Sequence, residues 1–158
     1  RASEQDVRCL SADATLEQWL RAIDSATSAV RIACYTFDIP TVVAKLKAAR
    51  SRQVRVRILF SKGDQTVTRN QQIRMQEVRA KGCDIRAWAL GRLHAKLMIA
   101  DDVIVVGSCN FTEAVQMKLE RGVRLPAGEG GVVVSLGRAV PVHARRAHGP
   151  EVVQVSAL

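Results

Sequence analysis

Apolar positions along the chain follow two periods, and together they predict helices that alternate with strands. Over about 13–28, Leu16, Leu20 and Ile23 recur on one face of a helix, with an aspartate at its start as a candidate N-cap. Over 54–58, valine and isoleucine alternate with arginine, which is the period of a strand with one buried face.

The same patterns predict the other elements of the first 90 residues. They are strands over 30–37 and 85–89, a helix with Pro40 in its first turn, and a helix over about 66–81 that ends at Gly82. Helices that alternate with strands at this spacing favour an α/β fold. We therefore predict a mixed, largely parallel sheet flanked by helices on both faces.

The next segment predicts an antiparallel hairpin added to this sheet. Two apolar runs, 93–100 and 103–106, are separated only by Asp101 and Asp102. A helix is predicted to begin near Thr112.

The pattern weakens after Leu125. A glycine-rich loop is followed by a candidate strand at 132–134 and then by a basic cluster. We predict a single domain over residues 1–125 and an atypical, weakly ordered C-terminal tail over 126–158.

Charge adds a class of partner to this picture. The chain has 158 residues, with 24 Lys and Arg against 15 Asp and Glu, which gives a formal net charge of +9. Such a balance favours a polyanionic partner, either nucleic acid or an acidic membrane surface, although a generally arginine-rich composition is an alternative explanation. Aromatic residues make up only 4% of the chain, which argues against a platform for base stacking.

The cysteines predict neither a metal site nor a cofactor. They form no CxxC pair and have no metal-ligand spacing with the three histidines; they are Cys9, Cys34, Cys83 and Cys109. Reduced, partly buried thiols favour an intracellular location. A mitochondrial location stays open, because the chain starts at Arg1 and any upstream targeting segment is not visible.

Four polar side chains in and after the hairpin suggest chemistry on phosphorus. His94 and Lys96 point to the same face of a strand, because side chains alternate, and Ser108 and Asn110 likewise share a parity just beyond the returning strand. A neutral imidazole is a competent nucleophile toward a phosphodiester. Lysine and asparagine supply donors for the phosphoryl oxygens.

These residues resemble the HKD signature of the phospholipase D superfamily. The signature reads His-x-Lys, four residues, Asp, a short strand and Gly-Ser-x-Asn, and the matching positions are His94, Lys96, Asp101, Gly107, Ser108 and Asn110. The resemblance covers about residues 14–125 and points to the branch with one HKD motif, which is nuclease-like or mitochondrial cardiolipin hydrolase-like. It implies a phospholipase D-like fold.

The resemblance also implies roles for these side chains. His94 is the expected nucleophile, which forms a phosphohistidine that water or an alcohol then opens. Lys96 and Asn110 are expected to bind the phosphate, and Ser108 to support it.

Two acidic residues complete the expected site. Glu120, ten residues past the asparagine, matches a glutamate that orients the histidine in the family. Asp101 is expected to hold the hairpin through a salt bridge more than to donate a proton. Between Asp101 and Gly107 there are five residues where the family usually has six. Either the hairpin re-registers with its face intact, or a one-residue slip turns side chains to the wrong face.

A single motif implies a homodimer with the active site on the twofold axis, because the family's enzymes use two histidines. The predicted function is a metal-independent phosphodiesterase, foremost a nuclease acting on DNA or RNA. Two alternatives are a phospholipase D-type hydrolase of an anionic phospholipid such as cardiolipin, and a catalytically silent module that binds nucleic acid.

Overall fold

The computed structural model describes residues 6–61, 68–108, 110, 112, 117 and 130–135. In this part of the chain, seven strands form one sheet and three helices accompany it. In chain order the elements are β1 (Asp6–Ser11), α1 (Ala12–Ser25), β2 (Ala29–Cys34), α2 (Pro40–Ser51), β3 (Arg55–Ser61), α3 (Arg69–Ala80), β4 (Asp84–Trp88), β5 (Lys96–Ala100), β6 (Val103–Gly107) and β7 (Gly130–Ser135).

The sheet has a parallel half and an antiparallel half. Its strand order is β1-β7-β6-β5-β2-β3-β4; β2, β3 and β4 are parallel, and every other neighbouring pair is antiparallel. The predicted α/β class and the mixed, helix-flanked sheet are confirmed. "Largely parallel" was wrong, because β1 and β7 extend the antiparallel side beyond the hairpin.

The described helices form one layer. α2 contacts both α1 and α3, and the three lie over β5–β7 and β1, over β3 and over β4, respectively. The helix predicted near Thr112 falls almost entirely outside the described residues. None of the described helices is long and apolar enough to cross a membrane.

The ends of the helices follow the predicted signals. Pro40 occupies the first turn of α2, and Gly82 follows α3 with a φ of +88°, a backbone conformation that glycine adopts without strain. The Gly82 amide donates to the Arg79 carbonyl at 2.9 Å. α1 begins at Ala12 rather than at Asp13, since Ser11 takes the extended N-cap position.

The hydrophobic core lies between the sheet and this helical layer. Alternate residues of the central strands enter it, among them Val30, Ile58, Met98 and Val105, and all are at most 3% exposed. Trp19 of α1 is fully buried against them. Burial of each aliphatic side chain contributes about 1.5–3 kcal/mol to the stability of the fold relative to an exposed one. The packing of this core therefore holds the sheet against the helices.

The folded domain extends beyond the boundary predicted at residue 125. β7 lies between β1 and β6; it contains the candidate strand predicted at 132–134 and extends it into the glycines that were predicted to be loop. Gly131 suits this strand because a Cβ there would stand 2.8 Å from both the Thr15 hydroxyl of α1 and the Val106 carbonyl oxygen. The glycine therefore permits a close helix–sheet approach. Residues 136–158, the rest of the predicted tail, lie outside the described residues.

The shortened hairpin re-registers and keeps its buried face intact. Ala100 pairs with Val103 across a two-residue turn, in which Asp101 has a φ of +49°. Met98 and Val105 stand opposite each other, and both are fully buried. The missing residue is thus absorbed at the turn, and the strands do not slip by one residue.

Asp101 ties this turn to the start of β2. Its carboxylate accepts hydrogen bonds from the amides of Thr27 (2.8 Å), Ser28 (3.1 Å) and Ala29 (2.8 Å), and from the Thr27 hydroxyl at 3.2 Å. Partial desolvation raises the pKa of Asp101, but these hydrogen bonds outweigh it and the net pKa is lowered. The hairpin is therefore held here by backbone amides and a hydroxyl, and no basic side chain of the described part of the chain pairs with this carboxylate.

We predict that Asp101→Asn lowers the free energy of unfolding by about 1–2 kcal/mol, because the amide has one acceptor oxygen where the carboxylate uses two. The loss stays moderate because the site is solvent-exposed. Asparagine tolerates the left-handed backbone, so strain does not enter the comparison. A folded-state pKa below the unfolded value stabilises the protein above about pH 4, and this stabilisation is lost as the pH falls. The difference between parent and variant in urea unfolding should therefore shrink from pH 7 to pH 3.

Asp102→Asn, at the neighbouring turn position, is the matched control and should change stability by less than about 0.5 kcal/mol. Equal losses in the two variants would contradict the role assigned to Asp101.

Candidate active site

The candidate site lies at one edge of the sheet, where several strands end together. β2, β3 and β4 are parallel and end at Cys34, Ser61 and Trp88, whereas the antiparallel β5 begins there with Lys96. β6 returns to the same edge and ends at Gly107. Carboxyl ends of parallel strands are common sites for ligands, because polar groups from several strands meet there.

His94 and Lys96 are in direct contact at this edge. The Lys96 Nζ atom lies 2.9 Å from His94 Nε2 and 3.2 Å from the His94 carbonyl oxygen. Lys96 is only 6% exposed, whereas the imidazole is exposed. A lysine ammonium can only donate hydrogen bonds, so this contact requires Nε2 to accept and places the ring proton on Nδ1.

Cys34 lies beside Lys96 as an uncharged neighbour. The two residues are register partners in the β2–β5 pair, and the Cys34 thiol is fully buried. Burial raises the pKa of Cys34 to about 12, although the nearby Lys96 charge acts in the opposite direction. The neighbour of the ammonium group is therefore a neutral thiol and not a thiolate.

An aromatic ring orients the imidazole. Tyr35 follows β2, and its amide donates to the Ala95 carbonyl at 3.0 Å, which extends the β2–β5 ladder by one bond. Its ring meets the His94 ring edge to face, with centroids 5.2 Å apart and an interplanar angle of 71°. The Arg92 guanidinium stands 5.5 Å from the centroid of the Tyr35 ring.

A hydrogen bond to Ser61 holds the segment that leads to His94. This serine ends β3, is fully buried, and accepts a hydrogen bond from the Leu93 amide at 3.2 Å. Gly91, with a φ of +98°, turns the chain between β4 and this anchor point. The backbone is thus attached on both sides of His94, through Leu93 to the end of β3 and through Ala95 to the residue that follows β2.

Ser108 and Asn110 lie just beyond the end of β6. Leu97 pairs with Val106, so the chain leaves β6 beside the start of β5, where Lys96 stands. Ser108 is exposed, and Asn110 is half-buried with a side-chain oxygen that has no hydrogen-bond partner. Buried polar atoms usually have partners, so an unpartnered one at a sheet edge suggests capacity for a ligand.

The remaining predicted site residues are not brought to this edge. Asp101 is at the opposite end of β5, five residues from Lys96, or about 17 Å along a strand. It therefore acts in the hairpin and does not approach the imidazole. Glu120 lies outside the described residues.

A family model gives this geometry its context. The model for "Cardiolipin synthase, PLD-like domain" matches residues 19–127, which include His94, Lys96 and Asn110. The chain belongs to this phospholipase D-like family. Among curated proteins, none matches the chain.

Solved structures with the same fold include other members of this group. Nuc from Salmonella typhimurium, described as a phospholipase D family member, is 26% identical, with a TM-score of 0.72 over 85% of each chain. NucT from Helicobacter pylori is 18% identical, with a TM-score of 0.60 over 84% of each chain. A phosphatidylserine synthase from Haemophilus influenzae is 15% identical, with a TM-score of 0.53 over 83% of this chain and 34% of its own. The last two show similarity of fold alone.

Sequence reasoning missed several residues of this phospholipase D-like site. Tyr35, Arg92 and Ser61 support the imidazole or the segment before it, but none belongs to the HKD signature. A usable signal was present, since Tyr35 and Ser61 stand at the carboxyl ends of strands that were predicted to be neighbours.

Proposed function

We propose that this chain is a metal-independent phosphodiesterase in which His94 is the nucleophile. The observation that carries the proposal is the contact between His94 Nε2 and the buried ammonium of Lys96. In the first step the Nε2 lone pair attacks phosphorus, the P–O bond to the leaving group breaks, and that oxygen receives a proton. In the second step water attacks the phosphohistidine, the P–N bond breaks, and the imidazole is regenerated.

Lys96 has two functions in this scheme. Before substrate binds, its hydrogen bond to Nε2 keeps the ring in the tautomer whose lone pair faces the site. When a phosphodiester arrives, the ammonium can turn to a phosphoryl oxygen and release that lone pair. Cys34 stays a neutral thiol and does not itself neutralise the ammonium that would stabilise the developing anion.

Ser108 and Asn110 complete the binding of the phosphoryl group. Both follow β6 at the edge where β5 begins, and the Ser108 hydroxyl and the Asn110 side-chain nitrogen are the groups that can donate to phosphoryl oxygens; the unpartnered Asn110 side-chain oxygen can only accept, from water or a protonated group of the substrate. The family resemblance adds Glu120 as the acceptor of the His94 Nδ1 proton. That role rests on the resemblance alone.

The second imidazole is proposed to come from a second copy of the chain. Among the residues described, His94 is the one histidine, and protonation of the leaving oxygen calls for another acid. A homodimer with the site on its twofold axis would supply this acid from the same position of the partner.

Nucleic acid is the proposed substrate class, because the net charge of +9 favours a polymer of phosphodiesters. A second candidate is an anionic phospholipid such as cardiolipin, which is favoured by the description of the matching family model. The chemistry at phosphorus is the same for both.

We predict that the chain cleaves DNA or RNA in EDTA at low salt, and that His94→Ala lowers kcat at least about a thousandfold. Lys96→Met should lower kcat about 100- to 1,000-fold, since it removes a charge that stabilises the transition state. Its unfolding midpoint should be unchanged or higher, because a buried ammonium is replaced by an apolar side chain of similar length.

Lys81→Met, at an exposed position after α3, is the control and should keep kcat within about twofold. Cleavage that requires a divalent metal, or that survives in His94→Ala, would contradict the proposal. Release of phosphatidic acid from cardiolipin vesicles without nucleic-acid cleavage would reverse the order of the two substrates.

We predict that the active species is a dimer in which each site needs both copies of His94. After subunit exchange with an equal amount of His94→Ala protein, activity per wild-type chain should fall to about half, because mixed dimers lack one imidazole. Light scattering after size exclusion reports the oligomer, and a titration with inactive subunit reports the loss. Full activity in a monomer, or activity per wild-type chain that does not change on mixing, would rule out the shared site.

A further inference from the structure

The sheet face turned away from α1–α3 carries a group of arginines outside the candidate site. On β2, β3 and β4, four of the residues that alternate with core positions are exposed arginines; we call them the arginine face, and they are Arg31, Arg55, Arg57 and Arg86. The core positions between them are Ile32, Val56, Ile58 and Ile85. Among the described residues of β2, β3 and β4, Asp84 is the one acidic residue that shares this face.

The charges on this face are not balanced internally. Arg31 and Arg57 are direct register partners in the parallel β2–β3 pair. Asp84 pairs with Arg86 at 3.0 Å and more distantly with Arg57 at 3.8 Å. Arg31 and Arg55 make no ion pair in the described part of the chain. Like charges directly opposite each other destabilise a sheet, so stability does not explain this arrangement.

We propose that the arginine face binds the sugar–phosphate backbone of a nucleic acid whose scissile bond lies at His94. The proposal rests on the function proposed above and names a second contact surface for the same substrate. Arg31 lies three residues before the end of β2 and Arg57 four residues before the end of β3. The face thus begins about 10–13 Å from the edge that holds His94.

This separation distinguishes a polymer from a lipid. A phospholipid has its headgroup phosphates close together, and the molecule that reacts at His94 cannot also reach side chains 10 Å or more away along the sheet. A nucleic acid has phosphates on both sides of the scissile bond and can follow the strands. All four basic side chains are arginines, whose planar guanidinium matches a phosphate with two hydrogen bonds.

An exposed aromatic ring connects the two regions. Trp88 ends β4 two residues after Arg86, so it points to the same face, and it is 38% exposed at the edge of the site. A nucleobase can stack on such a ring while its phosphate contacts the arginines.

Binding is tested in the His94→Ala background, so that the probe is not cleaved. Anisotropy of a fluorescein-labelled single-stranded DNA of about 20 nucleotides gives the dissociation constant between 50 and 200 mM salt. The test variant is Arg31→Gln with Arg57→Gln. The matched control is Arg21→Gln with Lys81→Gln, which removes the same two charges from α1 and from the end of α3 on the helical side.

We expect the arginine-face variant to bind about tenfold or more weakly at 50 mM salt, and its salt slope to flatten by about 1.4, the value for two phosphate contacts on a single strand. The control should change affinity less than about threefold. The unfolding midpoint of the test variant should be unchanged or higher, because a like-charge pair is removed. Equal weakening in both variants, or none in either, would overturn the proposal.

Two further measurements separate this inference from the proposed chemistry. In the first, the wild-type chain hydrolyses bis-p-nitrophenyl phosphate in EDTA, but its His94→Ala form binds no oligonucleotide. This result would overturn the proposed role of the arginine face and leave the proposed chemistry unaffected. Oligonucleotide binding that depends on the arginine face, without turnover of any diester, would support the face and contradict the chemistry. If Arg31→Gln with Arg57→Gln lost binding only to vesicles of phosphatidylglycerol and phosphatidylcholine, the arginine face would be a membrane-binding surface. That result would overturn the proposal that it binds nucleic acid.

Discussion

Lys96 places a positive charge in contact with the His94 imidazole. It lies on the face of β5 whose next residues, Met98 and Ala100, are buried in the core. Transfer of an ammonium group out of water is costly unless partners compensate, and a neutral thiol such as Cys34 compensates little. The His94 ring and carbonyl oxygen accept hydrogen bonds from this ammonium. A charge kept in such a place is typical of a site that binds an anion.

The mixed sheet is what makes this arrangement available. The parallel half brings the ends of β2 and β3 to one edge, where Tyr35 and Ser61 fix the segment around His94. The antiparallel half brings the start of β5 and the end of β6 to the same edge. At the opposite edge, Asp101 fastens the hairpin to the start of β2.

Local signals in the sequence predicted much of this. Strand alternation predicted that His94 and Lys96 share a face, and Pro40 and Gly82 marked helix ends because their backbone preferences are local. A strand was predicted at 132–134, but its extension through Gly131 was missed because it depends on a long-range fit, in which Thr15 occupies the space that a side chain at Gly131 would need. Tyr35 and Ser61 were missed for the same reason, since their partners lie far away in the chain.

The central claim is that His94 carries the phosphoryl group during turnover. The most direct measurement is to quench the reaction with an oligonucleotide in alkali, where phosphohistidine survives, and to locate the adduct by peptide mass spectrometry. The account predicts an adduct on the peptide that contains His94, formed equally in EDTA and absent from His94→Ala. An adduct on another residue, or turnover with none formed at any time point, would contradict it.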